Sequence, residues 1–193
     1  MEDGYAQSET FHRIDYRTTP LPKGEYEDCE FSSCNFSEAE LSGIHFIDCR
    51  FIACNLSVAK LVKTVFRDVL FRECKMMGLA FYNCDDFGLS FRFEQCILDH
   101  SFFLGKKIRN SIFKNCQLHE ADFTDADLTG SVFDHCDLMS AVFENTTLEK
   151  CDLRHSYQFS IDPEKNRLKK AKFSQSQLAG LLYKYQIEIV NNE

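Results

Sequence analysis

Residues 118–143 read LHEADFTDADLTGSVFDHCDLMSAVF, with Leu or Phe at every fifth place: Leu118, Phe123, Leu128, Phe133, Leu138 and Phe143. The run extends in both directions. Leu98, Phe103, Ile108 and Phe113 precede it and Leu148 and Leu153 come after it, so twelve consecutive slots are all apolar. In a chain that is 44% apolar, such a run has a chance of about one in twenty thousand. An earlier register starts at Tyr26 and runs through Phe31, Phe36, Leu41 and Phe46 to Phe91, broken only by Asp86.

Two residues before each centre stands a small side chain, as in Ala121-Asp122-Phe123 and Cys136-Asp137-Leu138. All ten cysteines fall in this slot, where Ala121, Ala126, Ala141, Ser111 and Ser131 also occur. A place that accepts Cys, Ala, Ser or Thr selects for volume, so the cysteines read as small apolar fillers. The C-x4-C pairs Cys29/Cys34 and Cys49/Cys54 have neither zinc-type spacing nor a nearby histidine. Disulfides are out of place in a reducing compartment.

A period of five suits neither regular element. On a helix, residues five apart point in different directions, and on a straight strand an odd step reverses the face. The chain must therefore turn a corner in every repeat, with the centre and the small slot inward and the other three positions outward. At steps of twenty the slots also match in kind: Phe31/Phe51/Phe71/Phe91, Phe103/Phe123/Phe143 and Cys96/Cys116/Cys136. Four sides make one coil, coils stack at the strand spacing of about 4.8 Å, and each coil completes the apolar edge of the last. The expected fold is an all-β solenoid, a right-handed quadrilateral β-helix of about seven coils, ending in a short helix and strand.

The A-[D/N]-[L/F]-x-x pattern of residues 121–130 resembles the pentapeptide-repeat family. CNLSVAKL at 54–61 and the C-terminal IDPEKNRLKKAKFS and GLLYKY segments resemble its branch of Qnr-type quinolone-resistance proteins. That resemblance implies a C-terminal helix that builds a head-to-head homodimer. It also implies a DNA-shaped acidic rod that engages DNA gyrase and topoisomerase IV. Qnr-type proteins from several sources carry protruding loops, and no comparable insertion interrupts this array.

The whole chain, 1–193, reads as one domain: a cap and irregular first coil over 1–25, the main array over 26–155, an interruption over 156–167, last repeats over 168–178 and a C-terminal module over 179–193. The cap should block strand addition at the open edge. The main array is disturbed twice. At Asp86–Phe93 the register advances by two; a bulge should turn Asp86 outward, because an unpaired carboxylate in the core costs several kcal/mol, with Phe87 taking its place. At Gly105-Lys106-Lys107 an inward slot holds Lys106, so that side should distort and present Lys106 and Lys107 as a basic bump, either a partner contact or simply solvated. In the C-terminal module, Leu178, Leu181, Leu182 and Tyr185 make one apolar helix face, and Ile187 and Ile189 alternate as a strand. Leu181, Leu182, Tyr185, Ile187 and Ile189 are the expected dimer interface.

Charge is banded. Between Glu25 and Cys49 there are seven acidic residues and no Lys or Arg; between Asn115 and Glu149, eight and none. Between Arg50 and Lys114 eleven basic residues outnumber six acidic ones. The net charge of −8 argues against direct binding to nucleic acid or to an anionic membrane. There is no long apolar run and no leader-like N-terminus, so a cytoplasmic protein is expected. Asp122, Asp125, Asp127, Asp134 and Asp137 are the candidate partner contacts, carboxylates standing in for phosphates. Scattered histidines and the absence of nucleotide, hydrolase or metal motifs predict no enzyme, cofactor or metal. Two functions stay open: a DNA mimic acting on a type II topoisomerase with quinolone protection, or a protein-binding scaffold without that role.

Overall fold

In the computed structural model, which describes residues 4–190, the chain bends after every repeat, as a period of five requires. The bend falls two residues after each apolar centre. Glu38, Asp48, Val58, Asp68, Asp125 and His135 all turn there in the left-handed region, with φ of 51–60°. Gly43, Gly78, Gly105 and Gly130 occupy the same corner elsewhere. Where the corner is tightest the centre's carbonyl accepts the N–H three residues on, as from Ala39 to Phe36 and from Ala126 to Phe123, both at 3.0 Å.

Between corners, short extended segments pair in parallel with the equivalent side of the next coil. Strands β1 (Gly4–Gln7), β3 (Gly24–Glu27), β5 (His45–Ile47) and β7 (Val65–Arg67) form one sheet. A second, seven-stranded sheet holds β2 (Thr10–His12), β4 (Glu30–Ser32), β6 (Arg50–Ile52), β8 (Val69–Arg72), β9 (Phe91–Glu94), β10 (Ile112–Lys114) and β11 (Val132–Asp134). Single bridges such as Asn35↔Asn55, Gln117↔Asp137 and Phe102↔Asp122 connect the other two sides. The result is the expected right-handed, four-sided solenoid of about seven turns.

Its interior is a lattice of rings. Along each column they stack: Phe113 and Phe133 have centroids 4.6 Å apart and planes within 1°. Between neighbouring sides they meet edge to face, Phe31 and Phe36 at 5.6 Å and 73°. The coil spacing suits stacking, and the square corner suits the T-shaped contact that aromatic quadrupoles favour. All ten cysteines are buried with free thiols, and Cys34, Cys54, Cys74, Cys96, Cys116 and Cys136 lie in one column. Volume is only part of what the small slot selects. Its side chain also donates to a carbonyl of the preceding coil: Cys136 Sγ to Phe113 at 3.3 Å, Ser156 Oγ to Phe133 at 2.8 Å, Thr146 Oγ1 to Phe123 at 2.9 Å.

The two disturbances of the main array are one feature. Phe71 pairs with Phe93, and Lys75 with Ile97, a step of twenty-two where others step twenty. Asp86 turns outward as expected. Phe87 does not replace it: Phe87 is 74% exposed, with the Arg67 guanidinium over its ring. Leu89 and Phe91 are buried instead, because the two extra residues carry the chain past Phe87 before it turns in. Lys106 departs further from expectation. Its side stays regular, and Lys106 lies in the small slot above Cys84 with only 5% of its surface exposed. Its ammonium donates to Cys84 O at 2.7 Å and to Asp86 Oδ1 at 2.5 Å. The outward bulge brings Asp86 to the lysine, so the ammonium has two oxygens and needs no distortion.

The ends differ from expectation too. The first coil is regular on two sides, where β1 and β2 pair in register with β3 and β4. Gly4–Glu25 thus contribute paired strands to the solenoid; residues 1–3 lie outside the described residues. At the interruption the register is kept, with Thr147↔Arg167 and Asp152↔Lys172 still twenty apart. Asn166 fills the small slot, donating to Phe143 O and Asp162 O, each at 2.9 Å. Leu168 and Phe173 resume the repeat and pack on the core, but Leu178 belongs to the C-terminal segment. That segment is two 3₁₀ turns, Gln175–Leu181 and Tyr183–Tyr185. No strand forms at Ile187–Val190, where Ile187, Ile189 and Val190 are exposed, and 191–193 lie outside the described residues.

Candidate functional site

The acidic band between Asn115 and Glu149 wraps the rod. Asp122, Asp127, Asp134 and Asp137 belong to four different sides, and Asp125 stands at a corner, so they form a girdle and not a stripe. Burial grades them. Asp125 is exposed, while Asp122, Asp127, Asp134 and Asp137 are half-buried, because each also works locally. The residue before an apolar centre can cap the N–H two places on. Asp122 Oδ1 accepts from Thr124 N at 2.8 Å, Asp127 from Thr129 N at 3.0 Å and Asp137 from Met139 N at 3.1 Å. Asn35 and Asn55 make the same bond to Ser37 and Ser57. This turn chemistry is why the position favours Asp and Asn.

Basic neighbours temper the girdle at its margins. Arg109 binds Asp127 Oδ2 at 2.6 Å, Arg154 binds Asp152 at 2.8 Å and Lys165 binds Glu144 at 2.8 Å. The hydrogen bond from Arg154 holds the Asp152 carboxyl below the usual carboxylate range. Asp122, Asp125 and Glu149 have no ion pair among the described residues. Lys107 is exposed, paired through its backbone with Asp127, whereas the burial of Lys106 removes it from the candidate contacts.

Three side chains meet on the girdle that sequence reading kept apart. Asp134, His135 and His155 converge because His135 and His155 are twenty residues apart, one coil. Their ring centroids are 5.0 Å apart, and each Nδ1 lies 2.8 Å from Asp134 Oδ1. The two imidazoles, His155 foremost, hold the Asp134 carboxyl below its ordinary range. The interval of twenty was the signal available in the sequence.

The expected dimer residues separate into two groups. Leu181 packs on the core and Leu182 is half-buried. Tyr185, Ile187 and Ile189 are exposed, joined by Tyr183 and Val190. The segment is two short 3₁₀ pieces that meet at Leu182, so Leu178, Leu181, Leu182 and Tyr185 do not form the single face of one continuous α-helix. A polar latch holds the segment in place. Lys184 Nζ lies 2.7 Å from both Asp162 and Glu164, and Tyr185 Oη donates to Glu164 at 2.9 Å. Gly180 lies so close to Phe159 that an added Cβ would collide with the Phe159 carbonyl and ring. The middle coils carry a further feature that was not anticipated, an exposed apolar strip of Val62, Met77, Tyr82, Phe102 and Leu104.

Two family models match the sequence, a pentapeptide repeat region over residues 25–103 and pentapeptide repeats (8 copies) over 92–125 and 116–154. No curated protein matches it. Among solved structures, two trypsin-treated forms of QnrB1, a plasmid-mediated fluoroquinolone resistance protein, are similar at 20% identity with TM-scores of 0.64 and 0.62. Each alignment covers 97% of this chain, and 92% and 98% of those chains respectively. At that identity the likeness is one of fold. Among the described residues no helix is long and apolar enough to cross a membrane.

Proposed function

Because the chain belongs to the pentapeptide-repeat family, we propose that it is a non-catalytic interaction rod whose acidic girdle binds the DNA-binding surface of a type II topoisomerase, DNA gyrase or topoisomerase IV. The observation that carries this reading is the girdle itself: eight acidic residues and no Lys or Arg between Asn115 and Glu149, on every side of a rod whose interior is filled with side chains. A basic groove built for phosphates would find carboxylates at many rotations about the axis. In this reading two chains join through Tyr183, Tyr185, Ile187 and Ile189, which sets two girdles on either side of the centre. Protection from quinolones follows if the rod competes with DNA on the enzyme. The fluoroquinolone resistance attributed to QnrB1 is consistent with that outcome.

Gyrase supercoiling, with and without a fluoroquinolone, is the direct test. The wild-type protein at micromolar concentration should inhibit supercoiling or rescue it from the drug, and the effect should fall steeply with salt. Asp122, Asp125, Asp127, Asp134 and Asp137 changed together to Asn should abolish it with the fold intact. At Asp122, Asp127 and Asp137 Asn keeps the oxygen that caps the turn, as Asn35 and Asn55 do. Unchanged gyrase and topoisomerase IV activity would reject the proposal. The apolar strip of Val62, Tyr82, Phe102 and Leu104 favours the second reading in that event, a scaffold for a protein that recognises the middle coils.

A further inference from the structure

We propose that Asp134, His135 and His155 form a surface site for a divalent transition metal, zinc above all. The three ligating atoms lie within 4.8 Å of one another, and they come from two successive coils, so the site exists only in the folded solenoid. Two imidazole nitrogens and one carboxylate oxygen suit zinc, and also copper or nickel, whereas calcium and magnesium prefer oxygen alone. In a tetrahedral zinc site with bonds of about 2.0–2.1 Å, ligand atoms stand roughly 3.3 Å apart. The Nδ1 to Oδ1 distances here are 2.8 Å, about half an ångström short of that, so both rings would turn away from the carboxylate to admit an ion. Both rings are exposed and free to do so. Three protein ligands leave one position open to water.

The surroundings favour a cation. Asp134 Oδ1 faces both imidazole nitrogens, and a metal would replace two hydrogen bonds to one oxygen with three coordinate bonds. The nearby Arg154 is already matched by Asp152. No comparable group occurs elsewhere among the described residues: His100 and His45 each meet only one carboxylate, and His119 lies between Asp99 and Asp137 without a second histidine.

Isothermal titration of tag-free, fully reduced protein with zinc chloride tests the site. One equivalent should bind per chain at micromolar protein, and His135→Ala or His155→Ala should each weaken binding at least tenfold without changing the thermal unfolding of the metal-free protein. Zinc should raise the unfolding temperature of the wild type only. Acidification should release the metal, because protons compete for the nitrogens. Cobalt provides an independent readout: its spectrum should lack a thiolate charge-transfer band, which separates this site from the cysteines. Binding that persists when His135→Ala and His155→Ala are combined, a thiolate band, or no saturable heat would each overturn the assignment.

Discussion

At the scale of single residues, Lys106 shows how one side chain can be misjudged by its slot and explained by its neighbour. A lysine among cysteines and serines suggests a broken side. It is tolerated because Asp86, twenty residues earlier, swings out on the bulge and meets it. The pair is asymmetric, since the ammonium is buried and the carboxylate is largely exposed. Lys106→Met keeps the stem and leaves Asp86 solvated but takes the donor from the buried Cys84 carbonyl, so it should cost about 1–3 kcal/mol. Asp86→Asn leaves the ammonium with two neutral oxygens and no counter-charge and should cost about 1–3 kcal/mol, less than for a fully enclosed pair. Denaturant unfolding of both variants and of K106M/D86N checks this. The double variant should return close to the Lys106→Met value, and a loss equal to the sum of the two singles would disprove the coupling.

The cysteines make the same point for packing. Burial pushes the thiols of Cys49 and Cys151 up to about 12, so they stay protonated and able to donate to the carbonyl of the coil before. That accounts for Thr64, Ser101, Ser131, Thr146 and Ser156 sharing the slot, a preference the five-residue period alone could not reveal.

Among the elements, the C-terminal segment is the one held chiefly by charge. Its two 3₁₀ turns bury no residue and are fastened by Lys184 to Asp162 and Glu164. Hydrogen bonds from Lys184 depress both carboxyls. A depressed carboxylate contributes stability that is complete above its unfolded value and is lost as the pH falls through its folded value. Protection of residues 175–190 against hydrogen exchange should therefore decay as the pH drops below about 4, before that of the coils over 98–153. Lys184→Met should remove the difference by loosening the segment at neutral pH. Simultaneous loss in both regions, or no effect of the substitution, would show that apolar contacts hold the segment instead.

For the whole molecule, both ends of the rod present unpartnered surface among the described residues. At one end β1 and β2 expose their outer edges; at the other, Tyr183, Tyr185, Ile187, Ile189 and Val190 present apolar surface to solvent. If the second is the dimer interface, the full chain should sediment as a dimer at micromolar concentration, and Ile187→Asp with Ile189→Asp should give a folded monomer. A monomeric wild type would rule that interface out, and a dimeric double variant would move the contact elsewhere, the exposed strand edges being the alternative.

The period of five and its repeat at twenty were sufficient to read the solenoid, the inward columns, the two-residue register shift and the acidic girdle, because burial and parallel pairing recur at every coil and leave a mark at every coil. Features that occur once left no such mark. The destination of Phe87, the pairing of Lys106 with Asp86 and the 3₁₀ form of the C-terminal segment depend on local room, on which oxygen lies within reach and on whether an edge is available to pair. The meeting of Asp134, His135 and His155 is intermediate between these cases. The interval of twenty brings the two histidines to one corner, but only the folded coil directs both nitrogens to a single carboxylate.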